Sequence, residues 1–135
     1  MHTYFIAYIA TAVTFLAIDA LWLGVIIKDF MQSHLGELLR EEPDLMIAAG
    51  FYLVYAIGIV IFAIKPALAD QNWHLALIYG ALFGFMCYGT YDMTNLATLK
   101  NWPVSVVVVD IAWGTFLTAF SAVIGYFAVQ KFIQT

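Results

Sequence analysis

The sequence predicts an all-α integral membrane protein: a four-helix transmembrane bundle with a short amphipathic interfacial helix in its first loop. Three observations carry that expectation. Of 135 residues, 64% are hydrophobic and only 10% are charged, with a mean hydropathy of +0.92, whereas soluble domains carry roughly 25% charged residues. Four stretches, residues 4–27, 45–69, 74–97 and 103–129, each supply an apolar run of the about 20 residues that a spanning helix needs. The segments between them leave no room for a soluble domain, so residues 1–135 read as a single four-helix transmembrane domain.

The first stretch has no basic leader and is too long for a signal-peptide core, so it is expected to stay as a helix. In the loop after it, Phe30, Met31, Leu35, Leu38 and Leu39 recur at helical spacing among Asp29, Glu37, Arg40 and Glu41, and Pro43 stops the run. That pattern predicts an amphipathic helix lying in the headgroup region. The second stretch has no acid; Tyr52 and Tyr55 are expected to support and seal a pocket, while Lys65 near its end snorkels to the interface. Short connections at residues 70–73 and 98–102 make the second, third and fourth helices run antiparallel to their neighbours. Trp73, Trp102 and Tyr126 fall near helix ends, where aromatic rings anchor at the interface. Lys28, Arg40 and Lys100 on one side against Lys65 and Lys131 on the other place loops one and three in the cytoplasm.

The chemistry-bearing residues are three acids inside the apolar runs. Asp19, Asp92 and Asp110 sit where a charge at the bilayer centre costs about 2.5 to 3.5 kcal/mol. Counted from the helix ends at 1.5 Å per residue, all three lie roughly 7 to 12 Å beneath the membrane face that carries loops one and three. Helical phase points them inward. Gly80, Gly84, Tyr88, Tyr91, Asp92 and Asn95 share one stripe, and the Gly80-x-x-x-Gly84 spacing lets a neighbouring helix approach closely. Asp110, Gly114, Leu117, Ser121 and Gly125 form a stripe on the last helix, and Tyr8, Ala12, Asp19 and Trp22 form one on the first. Asp19-Ala-Leu-Trp22 and Asp110-Ile-Ala-Trp113 repeat D-x-x-W, with Asp92-Met-Thr-Asn95 as a variant. An indole three residues from a carboxylate shares its face and can donate to it or ring a ligand.

The segments Ala17 to Gly24, Tyr88 to Leu99, Asn101 to Pro103 and Val109 to Thr115 resemble an uncharacterised family of bacterial four-helix membrane proteins, domain of unknown function 2177. The resemblance covers nearly the whole chain. It implies a multi-pass protein of the bacterial cytoplasmic (inner) membrane with the same Asp, Trp and Asn positions as hallmarks. Its members' fatty-acid-modifying gene neighbours point to lipid chemistry, and it brings no activity to carry over.

Three readings of the acids follow, leaving open whether the protein is an enzyme. In the first, the lipid bilayer is the surrounding partner, and Asp19, Asp92 and Asp110 line a buried pocket that binds or modifies a small lipophilic or lipid ligand. Trp22, Tyr88, Tyr91, Asn95 and Trp113 then contact the ligand. Carboxylates in low dielectric cannot all stay ionised, so one could act as general acid and another as base. In the second, the protein is a small proton-coupled transporter working as a homodimer. In the third, it is a structural or accessory subunit whose aspartates fix helix register, although such polar contacts average only about 0.6 kcal/mol. A net charge of −4 argues against nucleic-acid partners. Scattered His2, His34 and His74 and the lone Cys87 predict no haem or zinc cluster, while Asp19, Asp92, Asn95 and Asp110 offer hard oxygen ligands that leave a magnesium or calcium site open. No motif names a cofactor.

Overall fold

A computed structural model describes residues 2–42 and 44–133, and every regular element among them is helical. Helix α1 (His2–Leu21) runs into a π-helical turn, Trp22–Ile26. Helix α2 (Lys28–Leu35) ends in a 3-10 turn, Gly36–Leu38. Helix α3 (Leu45–Ile59) passes through a second π turn, Val60–Ile64, into α4 (Lys65–Ala69). Helices α5 (Trp73–Thr98) and α6 (Val104–Ile133) complete the chain.

The ends of these helices follow from single residues. Asp44 caps α3 by accepting hydrogen bonds from the amides of Met46 and Ile47, each 3.1 Å long, which satisfies donors that the first turn leaves free. Asn72 does the same for α5 through the amide of His74. The second π turn traces to Pro66. Without an N–H at that position the ladder slips, and the Lys65 amide reaches back five residues to the Val60 carbonyl. Gly36 takes φ +47 and ends α2. Leu38 and Leu39 therefore lie beyond the helix that their spacing suggested. Leu35 is the buried residue of α2, with Phe30 and Met31 half-buried. The expected stop at Pro43 lies outside the described residues.

Three helical rods, His2–Ile26, Leu45–Ala69 and Val104–Ile133, are long and apolar enough to cross a membrane. Helix α5 is as long, at 26 residues, but falls outside that set. Tyr88, Tyr91, Asp92 and Asn95 within it dilute its apolar character. Helix α6 packs along α5 on one side and α1 on the other, while α3 and its π turn close against α1 and α5. Small residues bring the backbones of α5 and α6 together. A methyl group on Gly84 would sit 2.5 Å from the Gly114 carbonyl oxygen, and one on Gly80 would sit 3.0 Å from the Ala119 Cα. Large apolar side chains such as Phe5, Val13, Phe51, Phe62, Phe85, Met86 and Phe116 point outward. The interior combines small and polar residues, among them Ala7, Thr11, Ala76, Ser121 and Ala122, with a few large apolar ones, Phe15, Ile59, Ile64 and Leu117. That distribution suits a solvent of lipid, where close packing and internal hydrogen bonding hold helices together.

Candidate functional site

Ala7, Thr11, Phe15 and Asp19 recur every four residues, so α1 buries all four on one face. Asp19 is 3% exposed, and its Oδ1 accepts a hydrogen bond of 3.0 Å from Nε1 of Trp113 on α6. The Trp113 ring lies flat on Trp22, with centroids 4.0 Å apart and planes within 6°. Trp22 opens the π turn, which closes through the Ile27 amide on the Trp22 carbonyl at 2.9 Å. The two D-x-x-W segments are thus interlocked. The acid of one holds the indole of the other, and the indoles stack.

Helix α3 supplies Tyr52, whose hydroxyl lies near the Asp19 carboxyl without filling its free Oδ2, and whose ring packs edge-on against Phe15 at 5.2 Å. On α5, Asp92 is fully buried, at 0% exposure, and neither of its oxygens has a hydrogen-bond partner. Its carboxyl faces that of half-buried Asp110 on α6, and Asp110 in turn lies within electrostatic range of Asp19. The structure therefore gathers the three acids into a row, Asp92, Asp110 and Asp19, across α5, α6 and α1. Among the described residues, no basic side chain accompanies them.

The aromatic partners divide into two groups. Tyr88 is drawn in because Gly114 has no side chain, and its ring occupies the space where a Cβ would project. There it meets Tyr55 edge-on at 6.3 Å and faces Asp19 and Asp110. Tyr91 turns outward, 56% exposed, its ring perpendicular to that of Trp102 at 6.1 Å. Half-buried Asn95 sits beside it. Tyr91 and Asn95 thus form a rim where burial falls away, while Trp22, Tyr88 and Trp113 sit among the acids. The indole nitrogen of Trp102, expected as an interface anchor, is buried with no partner. Tyr52 lies beside Asp19 and Tyr55 beside Tyr88, although the sequence pointed to them only as a seal.

Among the described residues, no three His, Cys, Asp or Glu side chains converge to hold a metal ion. Two apolar grooves of about 420 and 270 Å³ run along α1. The larger is lined by Tyr4, Phe5, Tyr8, Ile57, Val60, Ile61 and Lys65, and neither includes an aspartate.

Replacing Trp113 with phenylalanine removes the donor to Asp19 and keeps most of the ring. The loss is expected to cost about 1 to 3 kcal/mol, because it leaves a buried acceptor unpaired. Thermal unfolding of the detergent-purified variant measures it; an unchanged midpoint would show that this bond contributes nothing to stability.

A family model described as "Predicted membrane protein (DUF2177)" matches residues 4–127. No curated protein and no solved structure matches the chain.

Proposed function

The chain belongs to this family of predicted membrane proteins, and from that premise we propose that all four long rods cross the bacterial inner membrane, enclosing an aspartate-lined site that binds or modifies a small lipophilic or lipid ligand. Helix α5 supports the fourth crossing. At 26 residues it measures about 39 Å at 1.5 Å per residue, and it packs antiparallel to α6 through Gly80 and Gly84. Its polar residues face α6 or gather at one end, leaving Ile78, Leu82, Phe85 and Met86 for lipid. Helix α2, with Leu35 tucked in and Asp29 on its first turn, lies in the headgroup layer.

One observation carries the functional reading, namely unfilled acceptor capacity. Both oxygens of Asp92 and Oδ2 of Asp19 are buried without a donor, and among the described residues the hydrogen bond from Trp113 is the one that reaches the three acids. A buried polar atom left unpaired costs about 1 to 3 kcal/mol, so a site of this kind selects a ligand that brings donors, such as a hydroxyl or amine headgroup on an apolar tail. Entry is lateral, between Tyr91, Asn95 and Asp110, where burial falls off. Asp92 and Asp110, facing each other in low dielectric, can hold one proton between them, the arrangement required for a general acid and base acting on a bound headgroup.

The test is native mass spectrometry of the detergent-purified protein beside an Asp110→Asn variant. The wild type is expected to carry a lipid or lipophilic adduct that the variant loses. If both proteins carry the same adducts, or neither carries any, the ligand reading is wrong.

A further inference from the structure

Two kinds of threonine and serine hydroxyl stand out among the described residues. Thr90, Thr98 and Thr115 fold their hydroxyls back onto the carbonyls of Met86, Thr94 and Ile111, at 2.6, 2.7 and 2.8 Å, the usual way for a threonine to satisfy itself inside a helix. Thr11, Thr118 and Ser121 are fully buried at 0% exposure and do not do this. Thr118 Oγ1 meets the Tyr55 hydroxyl at 2.8 Å, while Thr11 Oγ1 and Ser121 Oγ have no partner at all.

Their placement is linear. Asp19 is approached by the Tyr52 hydroxyl. Tyr55 follows one turn along α3 and bonds across to Thr118 on α6. Ser121 lies one turn further along α6, and Thr11 is seated on Gly125, one turn beyond that. From Asp110 to Gly125 the file descends about 22 Å along α6 at 1.5 Å per residue, and buried Tyr126 comes next. Tyr88 and Cys87 flank the file at Tyr55, and Phe15 packs against both Tyr52 and Tyr55, at 5.2 and 5.3 Å.

The geometry points to a proton path running from the half of the bundle nearer the termini, through Thr11, Ser121, Thr118, Tyr55 and Tyr52, to the acid row. Each hydroxyl can accept a proton on a lone pair while releasing its own to the next group, so a charge moves with no net change in any station and comes to rest on the Asp19 or Asp110 carboxylate. Unpartnered Thr11 and Ser121 are the places where a water molecule has polar groups to bridge. Helix packing alone would leave these hydroxyls free to bond their own helix, as Thr115 does. The path rests on the preceding section in taking all four rods as membrane-crossing and the acids as its end, but it does not depend on which ligand binds there.

Purified protein is reconstituted into liposomes containing a pH-sensitive dye, with the membrane potential clamped by valinomycin and potassium, and a pH gradient is imposed. Wild-type vesicles are expected to dissipate the gradient faster than protein-free ones. Ser121→Ala and Thr118→Val are each expected to slow this protein-dependent flux about tenfold, as the loss of one hydrogen-bonded station raises the barrier by about 1.4 kcal/mol. Thr115→Val, whose hydroxyl is already engaged, should match wild type. Wild-type flux equal to that of empty vesicles, or Ser121→Ala flux equal to wild type, overturns the path. Native mass spectra of the same variants separate the two readings. An adduct retained by Ser121→Ala alongside reduced flux supports the path independently of the ligand site, whereas an adduct retained alongside unchanged flux overturns the path and leaves the ligand reading standing.

Discussion

Protein carrying Asp92→Asn unfolds at a higher temperature than wild type and no longer supports whatever the acid row does. The sign is the informative part. Asp92 is completely enclosed, its oxygens lack donors, and its nearest polar neighbour is another carboxyl, Asp110. An asparagine of the same shape offers Asp110 a permanent amide N–H₂ donor, in place of a proton that the two acids must take up and share. Relieving one unpaired buried group is worth about 1 to 2 kcal/mol. Were the aspartates register-fixing glue, removing one would loosen the bundle. Stability that improves as function disappears is the mark of a group kept for its chemistry. Differential scanning fluorimetry of both proteins in one detergent measures the shift, and a lower midpoint for the variant would return Asp92 to a structural role.

The largest loss of stability is expected from Gly84→Leu. Its first side-chain carbon would lie 2.5 Å from the Gly114 carbonyl oxygen and 2.8 Å from the Thr118 side chain, so the obstruction includes backbone and no rotamer change relieves it. Forcing α5 away from α6 also unseats Tyr88 from Gly114 and disturbs the Tyr55 to Thr118 bond. A cost of about 3 kcal/mol or more follows from overpacking of this severity. Gly89→Leu on the same helix is the control, since nothing lies within 4 Å of the added carbon. Size-exclusion profiles and unfolding midpoints of the two variants test this; equal behaviour would mean that α5 and α6 do not pack through Gly84.

Much of this was legible in the residues themselves. An aspartate inside an apolar run costs too much to face lipid, so Asp19, Asp92 and Asp110 had to turn inward, and the four-residue spacing of Gly80 and Gly84 marked the face that meets a neighbour. The D-x-x-W echo identified Trp113 as a partner for a carboxylate, but it could not tell that the carboxylate is the one on α1. Other features were hidden for definable reasons. Helix α3 is apolar on every side, so no periodicity reveals which way Tyr52 and Tyr55 point. Tyr91 is adjacent to Asp92, about 100° away around the helix, and an ideal wheel cannot decide which edge of a broad stripe is exposed. The π turn at Trp22–Ile26 shifts the phase of the residues it contains, and no proline announces it as Pro66 announces the second one. The shortness of α2 turned on Gly36, where a positive φ outweighs the apolar spacing that continues beyond it.

The bond between Trp113 and Asp19 joins residues 94 positions apart. A ribosome adding about 5 to 20 residues per second delivers the first helix to the membrane several seconds before the indole that will receive its carboxylate. During that interval Asp19 has no permanent place, neither in lipid nor in a finished core. A chain stopped before α6 therefore lacks the indole donor that Asp19 bonds in the finished fold.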